Sequence, residues 1–392
     1  MTRPGDLPLS PRAEARIDLD AISGNVRLLA EAAPSAQVLA VVKADAYGHG
    51  LVPCAAAARR GGASWLGTAL VAEALALRAA GDTGRLLSWL LDPDDDWTAA
   101  VAADIDVSAG SPWAVDAAAA AGRAAGVPAR LHLKADTGLG RGGSSQREWP
   151  ALVERALRLE AAGDVRVVGV WSHLAFADAP DNATTDAQIE AFLEAVALAD
   201  AEGARPEVRH LANSAATLSR ADAHFDLVRP GIAVYGLSPM PKGHPSDSLG
   251  LRPAMRLSAR VAQAKRLPAG HGISYLHRYL TAHETTVALV PLGYADGIPR
   301  AATNVGPVLA AGRLRTVAGT VAMDQFVVDV GDDAIGASDE VVLFGPGDDG
   351  EPTAEDWATA VGTISYEIVA RIGPRVRRTY VSRGDATPPE QR

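Results

Sequence analysis

The chain has 392 residues, of which 48% are hydrophobic and 21% are charged, and its formal net charge is −10. This length predicts two or three domains, and the negative charge, with no lysine- or arginine-rich block, argues against nucleic acid or an anionic membrane as the main partner. The single cysteine, Cys54, excludes an internal disulfide and argues against a cysteine-based metal site, so we expect no metal and a reducing, cytoplasmic environment.

Short apolar runs alternate with helical patterns from the N-terminus to about residue 240. The first helix is expected at Asp20, which can cap it, because Ile22, Val26 and Leu29 then fall on one face. Strands are predicted after it at residues 38–42, 64–67, 86–90, 105–108, 130–134, 167–171, 208–211 and 226–228. Eight strand–helix units are the number that closes a (β/α)8 barrel, so we predict an α/β fold with a TIM-type barrel over residues 14–245.

The pattern changes after Gly236, where a segment rich in proline, glycine and serine predicts a connection. Beyond it, β-like runs follow one another, with one helix near residues 354–361. The runs lie at residues 257–264, 286–292, 308–310, 316–321, 326–330 and 341–344. We therefore predict a second, mainly β domain over residues 251–382, and flexible tails at residues 1–13 and 383–392.

The predicted strand ends carry a consistent set of polar residues. In barrels of this type, catalytic groups sit at the carboxyl ends of the strands. Those ends carry Lys43 and Tyr47 (first strand), Lys134, Asp136 and Arg141 (fifth), His173 (sixth), Asn213 and Ser214 (seventh), and Arg229 and Gly231 (eighth). The sequence therefore places a reactive site at this end of the barrel.

The last two strand ends are suited to bind an anion, because barrel phosphate sites are often built from the loops after strands seven and eight. Ser214 can begin a helix, and Gly231 and Ile232 can offer backbone N–H groups. Apolar neighbours disfavour the charged form of Lys43, which frees its amine to react. An amine, an anion site and Arg229 as a partner for a ring nitrogen together indicate pyridoxal 5'-phosphate as a cofactor.

Each of these residues also has a structural explanation. Lys43 could be a solvated lysine where a strand meets a loop, and His173 could be a hydrogen-bonded core histidine. Ser214 could be only a helix cap, Asn213 only a turn residue, and Arg229 only a member of a structural ion pair.

One glycine motif points to a different ligand. Gly138, Gly140 and Gly143 have the spacing G-x-G-x-x-G of dinucleotide-binding loops. In such sites the next strand ends in an acidic residue that holds a ribose, whereas here the next strand ends in the sequence WSH. The motif also lies in the fifth strand–helix unit and not in the first. We therefore expect these glycines to form tight turns or to allow close approach to a ligand.

Taken together, these motifs resemble those of alanine racemases, which are pyridoxal-phosphate enzymes with a barrel followed by a β domain. The matching strings, in family order, are AVVKADAYGHG, LKADTGLGRGG, WSHLA, ANSAA, VRPGIAVYG, GISY, GYADG, AMDQ and ISYE. The resemblance implies an isomerase that interconverts L- and D-alanine, a cell-wall precursor. It also implies a cytoplasmic homodimer whose active sites are shared between subunits.

Carried over position by position, the resemblance implies two catalytic bases on opposite faces of the substrate: Lys43, which holds the cofactor as an imine, and Tyr275 of the partner subunit. The implied cofactor site comprises Lys43, Tyr47, His173, Asn213, Ser214, Arg229, Gly231, Ile232 and Tyr366. The residues implied near the substrate are Arg141, Met323 and Asp324. The implied supporting residues are Lys134, which matches a lysine carbamylated in many members, and Tyr294 at the entrance, while His173 is implied to support Tyr275 by a hydrogen bond.

Three alternatives remain at this stage. The first is a racemase of serine or another small amino acid, because the segment LHRY follows Tyr275 where the family often has a glycine. The second is a same-fold decarboxylase, although those enzymes usually have a glutamate where Arg229 stands and a cysteine in the second domain. The third is a non-catalytic vitamin B6 carrier, although such carriers consist of a barrel alone.

Overall fold

The computed structural model describes residues 12–179, 181–241 and 243–382, and the chain divides into two compact units. The barrel unit comprises Ile22–Ala46 and Leu51–Leu251. The second unit comprises Tyr47–Gly50 and the described residues that precede Ile22 or follow Leu251.

The N-terminal segment differs from the prediction. The predicted tails lie outside the described residues, except for Arg12 and Ala13. Ala13 begins strand β1 (Ala13–Asp18), which pairs within a sheet of the second unit. The barrel therefore does not begin at residue 14. The first helix, Leu19–Ala32, is capped by Asp18, whose Oδ1 accepts hydrogen bonds from the Asp20 and Ala21 N–H groups at 2.9 Å each, so Asp20 lies inside the helix and is not its cap.

Eight parallel strands form the sheet of the barrel unit. They are β2 (Gln37–Val41), β3 (Trp65–Thr68), β4 (Arg85–Ser88), β5 (Asp106–Ala109), β6 (Ala129–Lys134), β7 (Val165–Trp171), β8 (Val208–His210) and β9 (Leu227–Val228). Their order is β8-β7-β6-β5-β4-β3-β2-β9. Two hydrogen bonds then join the ends of the sheet, from Asp226 N to Arg209 O (3.0 Å) and from Arg229 N to Ala212 O (2.9 Å). The predicted barrel is thereby confirmed.

Helices follow most of these strands, and small residues let them pack closely. The helices are Leu51–Arg60, Val71–Ala79, Trp97–Ala102, Pro112–Ala125, Trp149–Ala161, Ala183–Ala201 and Ser214–Ser219, with short 3-10 turns at Ala221–Ala223, Ile232–Tyr235 and Ser246–Leu249. In Pro112–Ala125, a Cβ on Gly122 would lie 2.1 Å from Asp164 O. Alanine and glycine on such faces thus set the distance between helix and sheet. Among the described residues, none of the helices combines the length and apolarity that crossing a bilayer requires.

The second unit is mainly β, as predicted. With β1, its strands are β10 (Met255–Arg260), β11 (Gln263–Leu267), β12 (Gly272–Ile273), β13 (Tyr279–Leu280), β14 (Thr285–Val290), β15 (Pro307–Ala310), β16 (Arg313–Thr316), β17 (Phe326–Gly331), β18 (Glu340–Phe344) and β19 (Arg377–Val381). They form a six-stranded sheet in the order β16-β15-β18-β10-β1-β19, a three-stranded sheet β11-β14-β17 and the hairpin β12-β13. Two helices, Ala354–Val361 and Ser365–Ala370, and 3-10 turns at Tyr275–His277, Tyr294–Asp296 and Arg300–Ala302 complete the unit.

Two predicted strands of this unit differ from the structure. The single run predicted at 257–264 is two strands, β10 and β11, which belong to different sheets. The run predicted at 316–321 begins where β16 ends, and Val317 forms only an isolated bridge to Val328. Apolar alternation continues through both positions, so the sequence pattern alone does not show where pairing changes.

Candidate active site

Lys43 follows β2 and begins a left-handed turn. Ala44, Asp45, Ala46 and Tyr47 have φ values of 53–55°, a conformation that costs each non-glycine residue about 1–2 kcal/mol. The turn is held partly by Glu73, which was not predicted as a site residue and whose Oε1 accepts the Ala44 N–H at 2.6 Å.

The Lys43 amine lies in an electropositive, apolar environment. Its Nζ lies 5.8 Å from the centre of the Trp89 ring. Burial lowers the pKa of Lys43, the charge of Arg141 lowers it further, and Glu73 opposes both effects. The predicted activation of this amine therefore has a physical basis in the barrel unit.

The glycine-rich loop after β6 folds around its own carboxylate. Asp136 Oδ1 accepts hydrogen bonds from the N–H groups of Gly138 (3.0 Å), Leu139 (3.0 Å) and Gly140 (3.1 Å). Gly143 has φ 122°, and a Cβ there would lie 2.8 Å from the Ala135 carbonyl carbon. Of the two roles expected for these glycines, the structure shows tight turns.

Lys134 lies at the end of β6 among other cations. Its Nζ is 4.5 Å from the centre of the Trp171 ring. Burial and the charges of Arg229, Arg141 and Lys43 lower the pKa of Lys134 to about 8, while Asp136 opposes them. Roughly a fifth of this amine is therefore neutral at pH 7.4, far more than in an ordinary lysine.

Arg229 is buried, and acceptors surround its guanidinium. Nη1 donates to His210 Nδ1 (3.1 Å), and Nη2 is within hydrogen-bonding distance of Ser172 O (2.7 Å), Leu211 O (3.1 Å) and His173 Nδ1 (3.3 Å). Burial and then the charge of Arg229 hold the pKa values of both histidines well below the usual range. Both rings are therefore neutral acceptors for a fixed cation, and the ion pair considered for Arg229 is absent from its described contacts.

Ser214 lies beside two backbone amides. Asn213 caps the helix Ser214–Ser219, because its Oδ1 accepts the Ala216 N–H at 3.1 Å. Ser214 Oγ accepts the N–H groups of Gly231 (2.7 Å) and Ala233 (3.3 Å). Ile232 begins the 3-10 turn that follows, so the predicted anion-binding groups are neighbours within the barrel unit.

The second unit brings two further predicted cofactor residues together. The rings of Tyr47 and Tyr366 are 6.2 Å apart, and burial followed by the Tyr366 phenol raises the pKa of Tyr47. Gly48 is tightly enclosed, since a Cβ there would lie 2.4 Å from Val369 O. Tyr47 is therefore held as a neutral hydroxyl donor within this unit.

The remaining residues of the predicted site surround the loop at residues 320–324 of the second unit. Thr320 Oγ1 donates to Tyr275 O (2.8 Å), while Tyr294 N donates to Ala322 O at 3.1 Å. Met323 belongs to this loop and is 53% exposed, and Tyr275 is 69% exposed. The structure thus gathers three residues that are far apart in the sequence.

Two details of this cluster bear on the predictions. Leu276 has φ 63°, so the position where the family often has glycine is one where glycine is the least strained residue. Asp324 is paired with Arg375, whose Nη2 donates to its Oδ1 at 2.7 Å, and Arg375 also contacts the buried Asp296. Asp324 is therefore held by a partner within its own unit.

Comparison with known proteins identifies the family. Residues 17–239 match the alanine racemase N-terminal domain, and residues 254–380 match the alanine racemase C-terminal domain.

The chain belongs to the alanine racemase family.

Individual relatives agree with this assignment. The alanine racemase of Frankia casuarinae is 60% identical over 370 residues, 94% of this chain and 96% of the relative, and that of Thermobifida fusca is 60% identical over 372 residues, 95% and 99% of the two chains. The crystal structure of alanine racemase from a D-cycloserine-producing Streptomyces lavendulae has a TM-score of 0.94 at 55% identity, covering 96% of this chain and 98% of that one. The alanine racemase of Streptomyces coelicolor A3(2) has a TM-score of 0.93 at 59% identity, covering 94% and 98%.

Membership in the alanine racemase family confirms three predictions: racemase activity, the isomerase class and dependence on pyridoxal 5'-phosphate. The residues present fit this cofactor chemically. The site offers an amine with a lowered pKa in Lys43, a hydroxyl and backbone amides around Ser214, and a buried arginine. The match to the second domain speaks against a barrel-only vitamin B6 carrier.

Several residues that support this site were not predicted from the sequence. Glu73 holds the turn after Lys43, His210 accepts from Arg229, and His132 and Asp106 lie behind His210. The available signal was a polar residue inside an otherwise apolar strand, as in IDVS, LHLK and RHLA.

Proposed function

We propose that this chain interconverts L- and D-alanine with two bases, Lys43 and Tyr275, that act on opposite faces of the substrate. The observation that carries the proposal is the cluster of cations at the strand ends, where burial and Arg141 lower the pKa of Lys43. A lysine whose charged form is disfavoured can accept a proton near neutral pH. Two bases on opposite faces also remove the need for one base to move around the substrate.

The residue roles follow from the chemistry of each side chain. When bound, pyridoxal 5'-phosphate supplies an electron-withdrawing ring that makes the α-proton of the amino acid acidic. Lys43 would anchor the cofactor, Ser214 and the amides of Gly231 and Ile232 would hold the phosphate, and Tyr47 and Tyr366 would add hydroxyls. Arg141, Met323 and Asp324 would lie near the substrate carboxylate, and Tyr294 at the entrance.

Arg229 limits which reaction can follow. It has only N–H donors and no acceptor, and His210, His173 and two carbonyl oxygens hold it in place. It would therefore leave the ring nitrogen without a proton, which weakens the pull on electrons from the α-carbon. Simple return of the proton is then favoured over transamination or decarboxylation.

We further propose a homodimer in which Tyr275 of one subunit completes the site of the other. Three large side chains with apolar surface are exposed to solvent in this cluster: Tyr275 (69%), Leu276 (77%) and Met323 (53%). Exposed apolar side chains that lie together are typical of a surface that binds another protein. A second copy would cover them, and a symmetric dimer would form two equivalent sites. The place of action would be the cytoplasm, in keeping with a single, reduced cysteine.

Subunit complementation tests the shared site. Lys43→Ala and Tyr275→Phe homodimers should each be inactive, whereas exchanged mixtures should recover about a quarter of wild-type activity, because half of the dimers then have one intact site. The control mixes Lys43→Ala with the double variant Lys43→Ala/Tyr275→Phe, in which no site has a lysine. Verified subunit exchange without recovery would contradict delivery of Tyr275 from the partner.

A substrate panel tests the reaction itself. We expect the purified enzyme to racemise alanine faster than serine and other small amino acids, and borohydride to abolish turnover by trapping the cofactor on Lys43. Mass spectrometry of the trapped protein locates the modified lysine. Faster racemisation of serine would favour the alternative substrate, and modification at another lysine would contradict the role of Lys43.

A further inference from the structure

Four buried polar side chains form a hydrogen-bonded relay within the barrel unit. The relay consists of Arg229, His210, His132 and Asp106. His210 Nδ1 lies 3.1 Å from Arg229 Nη1, and His210 Nε2 lies 2.9 Å from His132 Nδ1. His132 Nε2 lies 3.0 Å from Asp106 Oδ2. Both histidines are 0% exposed and Asp106 is 1% exposed, so a nitrogen or oxygen without a partner here would be costly.

The two ends of this relay fix the direction of its hydrogen bonds. Arg229 can only donate, so His210 Nδ1 must be the acceptor and its proton must be on Nε2. That proton is donated to His132 Nδ1, which in turn places the His132 proton on Nε2. His132 then donates to the Asp106 carboxylate. With Asp106 ionised, one arrangement of neutral tautomers satisfies every contact.

Asp106 is well suited to end the relay as a carboxylate. Arg130 Nε donates to its Oδ1 at 2.7 Å, and Arg85 Nη2 donates to its Oδ2 at 2.9 Å. Burial and, to a smaller extent, the charge of Asp104 raise the pKa of Asp106, whereas the hydrogen bond from His132 and the charge of Arg85 oppose that shift. Both oxygens thus accept from N–H groups, as an ionised carboxylate requires.

Packing also holds the two histidine rings in place. The His210 ring is stacked on Trp171, with centres 5.5 Å apart and an angle of 8° between the planes. Gly169 makes room for the His132 ring, because a Cβ there would lie 2.2 Å from His132 Nδ1. Neither ring can turn over without displacing these neighbours.

We propose that Asp106 and His132 are positioning residues that keep His210 in the Nε2–H tautomer, so that it accepts from Arg229 and holds that guanidinium toward the cofactor ring. This inference rests on the proposed role of Arg229. If the relay were reversed, His210 Nδ1–H would face an Arg229 N–H, and two donors would oppose each other in a dry site. The orientation of Arg229 is thereby linked to a carboxylate three hydrogen bonds away.

Histidine tautomers in the holoenzyme test the relay directly. In ¹⁵N-histidine-labelled protein, long-range ¹H–¹⁵N correlations should show both His132 and His210 protonated on Nε2 alone at pH 8. Variants that lack one ring assign the signals. A His210 ring protonated on Nδ1, or on both nitrogens, would overturn the proposal whether or not the enzyme racemises alanine.

Matched substitutions separate positioning from simple stability. His132→Phe keeps a ring but removes both nitrogens, whereas His132→Gln keeps one acceptor and one donor. We expect His132→Phe to lower the affinity of the apoenzyme for pyridoxal phosphate about tenfold and to lower kcat about tenfold with little change in KM, and His132→Gln to recover most of both losses.

Two results would contradict this role. One is unchanged cofactor affinity and kcat in His132→Phe, even if its melting temperature falls, and the other is an equal loss in His132→Gln and His132→Phe. Wild-type racemisation is measured alongside. Its absence would reject the proposed function, whereas the tautomer spectrum would still decide the direction of the relay.

Discussion

Lys134 is expected to react with carbon dioxide under mild conditions. A carbamate forms when a neutral amine attacks the carbon of CO₂, makes an N–C bond and releases one proton to water. Because the pKa of Lys134 is lowered to about 8, roughly 3% of its amine is neutral at pH 6.5 and roughly 75% at pH 8.5. An ordinary lysine with a pKa of 10.5 remains at about 1% or below at both values.

The same cations that disfavour the ammonium stabilise the product. Arg229, Arg141 and Lys43 each lower the pKa of Lys134 by repelling its positive charge. A carbamate carries a negative charge, so the sign of each of these interactions is reversed. Arg141 would then gain an anionic partner, which agrees with the family pattern of a carbamylated lysine at this position.

The assay is ¹³C NMR of enzyme equilibrated with ¹³C-bicarbonate at pH 6.5 and 8.5. The sequence has only four lysines, and Lys265 on β11 is exposed, so it serves as an internal comparison. We expect a carbamate signal that is strong at pH 8.5, weak at pH 6.5 and absent in Lys134→Arg, which keeps the charge but lacks the amine. Equal signals in wild type and Lys134→Arg at pH 8.5 would refute the reasoning.

Three further predictions concern single positions. Gly169→Ala should lower the free energy of unfolding by about 2–4 kcal/mol, because the new Cβ displaces the buried His132 ring. Chemical denaturation measures this change. The control is Gly163→Ala, whose Cβ would have no atom within 4 Å, and it should lower the free energy of unfolding by about 1 kcal/mol because of its positive φ alone. Ala44→Gly should leave the free energy of unfolding unchanged or raise it by up to about 1 kcal/mol, since relief of the left-handed strain exceeds the entropic cost of glycine, and a clear fall in the melting temperature would count against the strain. Arg229→Glu should raise the ratio of transamination product to racemised product, measured by keto-acid formation, and an unchanged ratio would argue against its proposed role.

The sequence predicted most of the barrel, but it did not predict that strand β1, which precedes the barrel, belongs to a sheet of the second unit. Most barrel strands are apolar runs followed by a helix, so local pattern and fold agree there. Strand β1 was missed because AEARID gains its strand conformation only by pairing with β10 and β19, which lie more than two hundred residues away. The run at 257–264 was predicted as one strand because nothing in its apolar pattern shows that β10 and β11 pair in different sheets.

The sequence by itself determined which polar side chains gather at one end of the barrel, because Lys43, Ser214 and Arg229 stand at strand ends, and barrel topology brings strand ends together. Only the tertiary structure decided what controls those groups. The lowered pKa values of Lys43 and Lys134 come from burial and from cations far along the chain. The relay behind Arg229 joins β5, β6 and β8, and its direction depends on distances between side chains that no sequence spacing encodes. Burial, electric field and hydrogen-bond direction are properties of assembled neighbours, and for this reason they appear only once the chain is folded.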